Sequence, residues 1–89
     1  MFYVYVLKNP QSPAIYVGYT ADLKQRFAEH QRLPAHKGWK LAYYEAYADE
    51  GDARKRERKL KHYGSGLGRL KTRIHGSLKA VGVEWAGSQ

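Results

Sequence analysis

A chain of 89 residues that is 43% hydrophobic and 13% aromatic is too apolar to be disordered and fits one domain with one small core. Cysteine is absent, which excludes disulfides and thiolate zinc sites, and no apolar run approaches the roughly 20 residues of a membrane span. With no signal-type segment and a net charge of +8, we expect a soluble, cytoplasmic protein that binds a polyanion, first of all nucleic acid.

The first two alternating segments predict a β-hairpin. The segments MFYVYVLK (residues 1–8) and AIYVGY (residues 14–19) each alternate between aliphatic and tyrosine-bearing positions, and two prolines interrupt the chain between them. The hairpin should therefore be antiparallel, with one aliphatic face and one tyrosine-bearing face.

The first helix is predicted to begin after Asp22, whose side chain can cap it, with Gln25 three residues later as in a capping box. This helix should extend to about Gln31. The segment RLPAHKGWK, residues 32–40, contains proline and glycine and has no period, so it is predicted to be a loop. His36 in this loop lacks ligand-like neighbours, and we expect it at the surface or in contact with DNA.

One face of the first helix carries an unexpected cation. Leu23 and Phe27 lie four residues apart and form an apolar stripe, and Arg26 and His30 fall within about 60 degrees of that stripe. A helix built only for stability would point an arginine away from its core. The position of Arg26 therefore indicates a functional role.

A strand and two helices are predicted in the second half of the chain. The tyrosine-rich segment LAYYEAY, residues 41–47, is typical of a strand. Asp49 should cap a helix that runs to about Tyr63 and ends at Gly64 in the usual stop position. The segment SGLGRLKTRI, residues 65–74, favours one more short helix.

The second of the predicted helices lies in a strongly basic region. Residues 52–79 contain ten Lys or Arg and only two acids. This bias favours a nucleic-acid-binding surface, although a solvated helix face has the same composition. Charge alone leaves the two interpretations open.

Glu57 is the one acid between Arg54 and Lys61, and it faces inward with Ala53 and Leu60. An ion pair with Lys61 would stabilise the helix by only about 0.3 to 0.5 kcal/mol. Burying a carboxylate costs several kcal/mol unless a cation or strong donors compensate it. A magnesium ion would compensate it, and magnesium commonly takes only one or two protein carboxylates.

An ordered set of short motifs resembles the GIY-YIG nuclease superfamily, in particular small members related to the nuclease domain of excision-repair endonucleases and to some homing endonucleases. The first triplet is YVY at residues 3–5, and YVG follows at residues 16–18. The segment T-x-D-L-x-x-R occupies residues 20–26, His30 comes next, and A-x-x-x-E-x-x-L-K occupies residues 53–61. The resemblance covers about residues 2–63.

The resemblance implies hydrolysis of DNA phosphodiester bonds, linked to DNA repair or recombination. Because no extra domain for sequence recognition is recognised in the sequence, we expect structure-selective cleavage of branched or flapped DNA, or broad weak activity, and not a defined recognition site. Arg26 would stabilise the scissile phosphate, and Glu57 would hold one magnesium or manganese ion. Tyr16 would activate or orient the attacking water, with Tyr5 beside it. His30 occupies a position that is His or Tyr in relatives and would assist proton transfer or position the phosphate.

We therefore predict an α/β (α+β) fold, a three-stranded antiparallel sheet flanked by helices in the order β-β-α-β-α, as in GIY-YIG nucleases. The domain should occupy residues 1–75, and residues 76–89 should form a C-terminal tail that is partly disordered. The cations expected to contact DNA are Lys24, Arg54, Arg56, Arg58, Lys61 and Lys71.

Two features depart from the family pattern. The first triplet lacks a glycine, and many members carry an Asn after the metal-binding Glu, whereas this chain has no Asn after residue 9. The inward positions of Arg26 and Glu57 favour an endonuclease. The missing Asn favours the alternative, a non-catalytic nucleic-acid-binding module of the same fold. A ribosome-associated RNA binder rests only on size and charge, and the sequence leaves a protein partner or a homo-oligomer open.

Overall fold

The structure is a computed structural model that describes residues 1–62 and 64–86. Its first five elements follow the predicted order β-β-α-β-α, which is confirmed, and two further helices come after them. The elements are β1 (Phe2–Lys8), β2 (Ile15–Thr20), α1 (Leu23–Arg32), β3 (Lys40–Tyr47), α2 (Glu50–His62), α3 (Gly64–Arg73) and α4 (His75–Ala86). In the described part of the chain, no helix combines the length and the apolar character that crossing a bilayer requires.

The three strands form one antiparallel sheet in the order β2-β1-β3, so the predicted hairpin is confirmed and β1 is the central strand. Residues 4–7 of β1 are all buried, which shows that both faces of the sheet are covered. Opposite Tyr5, the register places Gly18 of β2 on one side and Tyr44 of β3 on the other. These residues share the tyrosine-bearing face of the sheet.

The aliphatic face of the sheet carries the main core. Helices α2, α3 and α4 supply apolar side chains to it, including Ala53 and Leu60, whose predicted inward orientation is confirmed. Each fully buried Val, Leu or Ile side chain contributes about 1.5 to 3 kcal/mol. The buried members of this core are Val4, Val6, Val17, Ala53, Leu60, Leu70 and Ile74.

Helix α1 begins as predicted at its cap but not as a capping box. Oδ1 of Asp22 accepts a hydrogen bond from the backbone N–H of Gln25 at 3.0 Å. The Gln25 side chain reaches forward to Glu29 and does not return to Asp22. The backbone N–H of Asp22 instead donates to Oγ1 of Thr20, which satisfies that donor and makes the capping box unnecessary.

Helix α2 begins at the predicted cap, but the prediction that Gly64 ends it is wrong. Oδ2 of Asp49 accepts from the N–H of Asp52 at 2.8 Å. Gly64 is the first residue of α3 and lacks a left-handed φ, so it is not the predicted stop; among the described glycines only Gly38 is left-handed, with φ 86°. Tyr63, the predicted end of α2, lies outside the described residues.

The segment expected to be a tail begins as helix α4, and Leu78 on this helix packs against the core. The apolar contact of Leu78 helps to hold the helix on the domain. The expectation of partial disorder concerns in part residues 87–89, which lie outside the described residues. The domain boundary at residue 75 stays a prediction.

Candidate active site

Tyr5 lies at the centre of the tyrosine-bearing face, and Gly18 makes room for it. The two residues pair directly across β1 and β2. A Cβ atom at position 18 would lie 2.3 Å from Cζ and from the hydroxyl oxygen of Tyr5, which is far inside any allowed contact. The glycine of the YVG triplet is therefore required because the Tyr5 ring lies against its backbone.

The hydroxyl of Tyr5 lies 2.8 Å from Nε2 of His30 on α1, and both residues are almost fully buried. Burial raises the pKa of Tyr5, and the nearby Arg26 cation opposes this effect without cancelling it. Burial lowers the pKa of His30, with the positive charges of Arg26 and His36 adding to the effect. Near neutral pH, a protonated tyrosine thus faces a neutral imidazole across this hydrogen bond, because both shifts disfavour the ionised forms.

Arg26 lies at the margin of this buried pair and is still open to solvent. Its side chain is 42% exposed, and its Nη1 donates to Oε1 of Glu29 at 2.9 Å. The pKa of Arg26 is raised, first by the hydrogen bond with Glu29 and then by the hydroxyl of Tyr5. A permanent cation next to Tyr5 with one side in water is suited to bind a phosphate oxygen.

Tyr16 connects the two sides of the site. Its ring centroid lies 6.2 Å from that of Tyr5 and 5.1 Å from that of His30. Nζ of Lys61 lies 5.4 Å from the centroid of the Tyr16 ring, a cation–π distance. Because Tyr16 is on the edge strand β2, helix α2 meets the site at this edge of the sheet.

Glu57, the residue predicted to hold a metal ion, lies at the margin of this cluster. Its side chain is 24% exposed, its Oε2 lies 3.1 Å from Nζ of Lys61, and its charge acts on Tyr5. The ion pair with Lys61 that the sequence left open is therefore formed. Among the described residues, no three His, Cys, Asp or Glu side chains converge as a metal cage. One partly exposed carboxylate fits magnesium, which fills its remaining positions with water and phosphate oxygens.

His36 belongs to this cluster, although its sequence context predicted a surface or DNA-contacting residue. Its Nδ1 lies 3.1 Å from Nδ1 of His30, and its ring lies between those of Tyr16 and Trp39, at 4.6 and 4.8 Å. The residue is partly buried. No periodic signal marks it, because it lies in a loop whose path only the packed structure determines.

The cations predicted to contact DNA divide into two groups. Lys24, Arg58 and Lys71 are exposed. Arg54 is also exposed but pairs with Glu50 and lies over the Tyr19 ring, and Lys61 pairs with Glu57.

Arg56 differs from the other predicted DNA contacts because its guanidinium binds Glu45 on the aliphatic side of the sheet. The described structure therefore orients Arg56 inward.

The model of one protein family, the GIY-YIG catalytic domain, matches residues 1–65 of this chain. The chain belongs to the GIY-YIG family. A curated relative, the "UPF0213 protein in ldhD 5'region" of Pediococcus acidilactici, is 38% identical over 60 residues, covering 58% of this chain and 60% of that protein. The chain thus spans about 60% of the length of this relative. No solved structure matches this chain.

Membership of the GIY-YIG family confirms the resemblance inferred from the ordered motifs. The family is one of nucleases, which act on DNA and generally depend on a divalent metal ion. Tyr5, Tyr16, Arg26 and His30 are brought together around one point on the tyrosine-bearing face, and Glu57 lies at its margin. The individual roles of these residues stay predictions.

Proposed function

We propose that this GIY-YIG protein is a metal-dependent endonuclease that hydrolyses DNA phosphodiester bonds. The observation that carries the proposal is the buried hydrogen bond between Tyr5 and His30, with the half-exposed Arg26 beside it. Hydrolysis of a phosphodiester is promoted by groups that move a proton and by a cation that stabilises charge on the phosphate oxygens.

The residues of the chain divide the reaction between them. Arg26 stabilises the negative charge that grows on the nonbridging oxygens of the phosphate. Tyr16 orients the attacking water, and Tyr5 with His30 accepts its proton. Tyr5 acts as a relay and not as an ionised base, because its raised pKa disfavours the phenolate.

Glu57 would hold one magnesium or manganese ion. Such an ion supplies further charge stabilisation to the phosphate and the leaving oxygen. Lys61 keeps the Glu57 carboxylate oriented through their ion pair and balances its charge.

The exposed cations favour contacts with the DNA backbone over recognition of a base sequence. Lys24, Arg58 and Lys71 are suited to phosphate contacts, and such contacts position DNA without identifying its bases. We therefore propose that this domain recognises branched or flapped DNA by shape. The role in repair or recombination follows from the resemblance to excision-repair nucleases.

A second candidate is a nucleic-acid-binding module that has kept the fold without turnover. The ion pair of Glu57 with Lys61 favours it, because an ammonium group already neutralises the carboxylate that would hold the metal. The absence of the family Asn after Glu57 points the same way.

A cleavage assay separates the two candidates. The purified protein is incubated with plasmid, single-stranded, branched and flapped DNA in magnesium, manganese or chelator, beside Glu57→Ala and the control Asp52→Ala. Asp52 is an exposed acid on the same helix. We expect metal-dependent cutting that Glu57→Ala abolishes and Asp52→Ala retains, with DNA affinity nearly unchanged in both.

One result would contradict the proposed role of Glu57, and another would contradict the endonuclease activity itself. Cutting by Glu57→Ala at the parental rate would remove Glu57 from the mechanism. Tight DNA binding with no cutting in any metal would support the binding module.

A further inference from the structure

The loop that carries His36 is held by backbone and side-chain hydrogen bonds, although it lies outside helices and strands. The backbone N–H of His36 donates to the carbonyl of Leu33, and that of Trp39 donates to the carbonyl of His36, both at 3.1 Å. The Gln31 amide clamps the end of the loop by donating to the carbonyl of Trp39 and accepting from the N–H of Gly38. The loop is therefore a rigid support for the His36 ring.

The His36 ring is fixed from three sides. Its centroid lies 4.6 Å from that of Tyr16, 5.0 Å from that of His30 and 4.8 Å from that of Trp39. These contacts hold Nδ1 of His36 at 3.1 Å from Nδ1 of His30. The second ring nitrogen of His30 is the one that contacts Tyr5.

The two hydrogen bonds of His30 depend on each other. A neutral imidazole has one N–H donor and one acceptor nitrogen. If Nε2 of His30 accepts from the Tyr5 hydroxyl, Nδ1 of His30 carries the proton and donates to Nδ1 of His36. His36 then carries its own proton on Nε2. The tautomers of His30 and His36 are thus coupled through the contact between their Nδ1 atoms.

We infer that His36 is a positioning residue that fixes the tautomer of His30 and completes a proton-transfer chain from Tyr5 through His30 to His36. This inference rests on the proposed nuclease function. His36 is an additional residue of the site, because it lies outside the motifs at residues 3–5, 16–18, 20–26 and 53–61.

The chain moves one proton from the attacking water to solvent. The oxygen of Tyr5 takes a proton from the water as the water oxygen bonds to phosphorus and the P–O bond to the leaving group breaks. The Tyr5 hydroxyl proton passes to Nε2 of His30, the Nδ1 proton of His30 passes to Nδ1 of His36, and the Nε2 proton of His36 goes to solvent. Each of the three residues ends neutral.

The surroundings of the two histidines favour this chain. The charged or titratable groups that face them are Arg26 and Glu29 on α1, Tyr5 on β1 and Tyr16 on β2, with Lys61 of α2 over Tyr16. Burial, Arg26 and His36 all lower the pKa of His30. A neutral His30 is the form that shares a single proton with Nδ1 of His36.

Three variants test the inference. His36→Phe keeps a ring between Tyr16 and Trp39 but removes both nitrogens, whereas His36→Asn returns a polar atom near the position of Nδ1. His75→Phe is the control, because His75 is exposed at the start of α4. The readouts are kcat and KM across pH on a cleaved DNA substrate, thermal unfolding, and the tautomer of His30 from long-range proton–nitrogen NMR correlations.

We expect His36→Phe to lower kcat roughly 10- to 100-fold, as for other side chains that orient a reactive group from behind, with KM and Tm nearly unchanged. In the parent, His30 should carry its proton on Nδ1, and in His36→Phe on Nε2. His36→Asn should restore the tautomer and part of kcat, and it should alter the pH profile because an amide passes no proton. His75→Phe should match the parent.

An unchanged His30 tautomer in His36→Phe overturns the inference, and so does a parental kcat and pH profile in that variant. A large fall in Tm without rescue by His36→Asn would also overturn it, since His36 would then be a packing residue. If the parent cuts no DNA in any metal, the proposed nuclease function fails and the tautomer measurement alone decides the role of His36.

Discussion

Glu45 on β3 and Arg56 on α2 form a two-pronged ion pair across the aliphatic side of the sheet, with Nε and Nη2 of Arg56 both 3.0 Å from carboxylate oxygens of Glu45. The two side chains are 14% and 28% exposed. Tyr43 and Tyr47 also donate their hydroxyls to Glu45. This network ties α2 to the sheet one residue before Glu57, and so it helps to set the rotation of the helix that places Glu57 at the active site.

The Glu45 network makes stability depend on acid pH. Burial alone would raise the pKa of Glu45, but hydrogen bonds from Arg56, Tyr47 and Tyr43 lower it overall. Because the folded pKa is depressed, this stabilisation is present above the ordinary value of 4.5 and is lost as pH falls through the folded pKa. We expect Glu45→Gln to be less stable than the parent at pH 7 and to lose less unfolding free energy as the pH falls to 3. Tyr47→Phe should lie between the two. Denaturant unfolding at several pH values from 7 to 3 measures these free energies. The same loss of stability between pH 7 and pH 3 in Glu45→Gln and in the parent would contradict the prediction.

Arg56 and Arg58 should separate stability from DNA binding. Removing Arg56 leaves Glu45 without its cation, so we expect Arg56→Ala to cost roughly 1 to 3 kcal/mol of unfolding free energy. Arg58 is exposed, and Arg58→Ala should leave Tm unchanged while lowering DNA affinity and reducing the salt slope by about one. Melting curves and DNA titrations at several salt concentrations compare the two. A larger loss of affinity in Arg56→Ala at full stability would instead make Arg56 a DNA contact.

Gly18→Ala should damage both the fold and the site. The added methyl group would overlap the Tyr5 ring, and overpacking of this kind costs about 1 to 3 kcal/mol. In a domain of this size, each kcal/mol lowers Tm by about 4 to 8 °C. We expect a Tm reduced by several degrees. DNA cutting should be nearly lost, because the displaced Tyr5 ring can no longer form its hydrogen bond with His30.

Gly68→Ala is the matched control for Gly18→Ala. A Cβ atom at Gly68 meets nothing within 4 Å, and the residue lies in helix α3. The substitution should leave Tm unchanged or raise it, since alanine favours the helix by up to about 1 kcal/mol. Equal melting temperatures for Gly18→Ala and the parent would show that Tyr5 is not packed on Gly18 as described.

Arg26→Ala should remove activity without removing stability. The ion pair of Arg26 with Glu29 is partly exposed, and pairs at the surface contribute about 0 to 1 kcal/mol. We expect turnover to fall by orders of magnitude, with Tm within a few degrees of the parent. Arg26→Lys should stay impaired, because a lysine does not offer the two-pronged geometry of a guanidinium. The exposed Arg32 on the same helix supplies the control Arg32→Ala, and a large drop in Tm in Arg26→Ala would make Arg26 structural.

Much of the site was predictable because its residues lie in regular elements. Alternation placed Tyr5 and Tyr16 on one face of the hairpin, and helical spacing placed Arg26 and His30 on one side of α1. The spacing of residues within a strand or a helix fixes which side chains share a face, whatever the rest of the chain does. The prediction for Gly64 was wrong because a following helix began at the glycine that local rules assign to a stop.

The sequence by itself determined the order of the first five elements, the caps at Asp22 and Asp49, the two faces of the hairpin and the family. Each of these depends on neighbours within a few residues or on the order of short motifs. Tertiary structure alone decided that His36 closes on His30, that Arg56 turns inward to Glu45 and that Gly18 must lack a side chain beneath Tyr5. These contacts join separate elements or depend on the path of an irregular loop, and only packing of the whole domain brings such groups together.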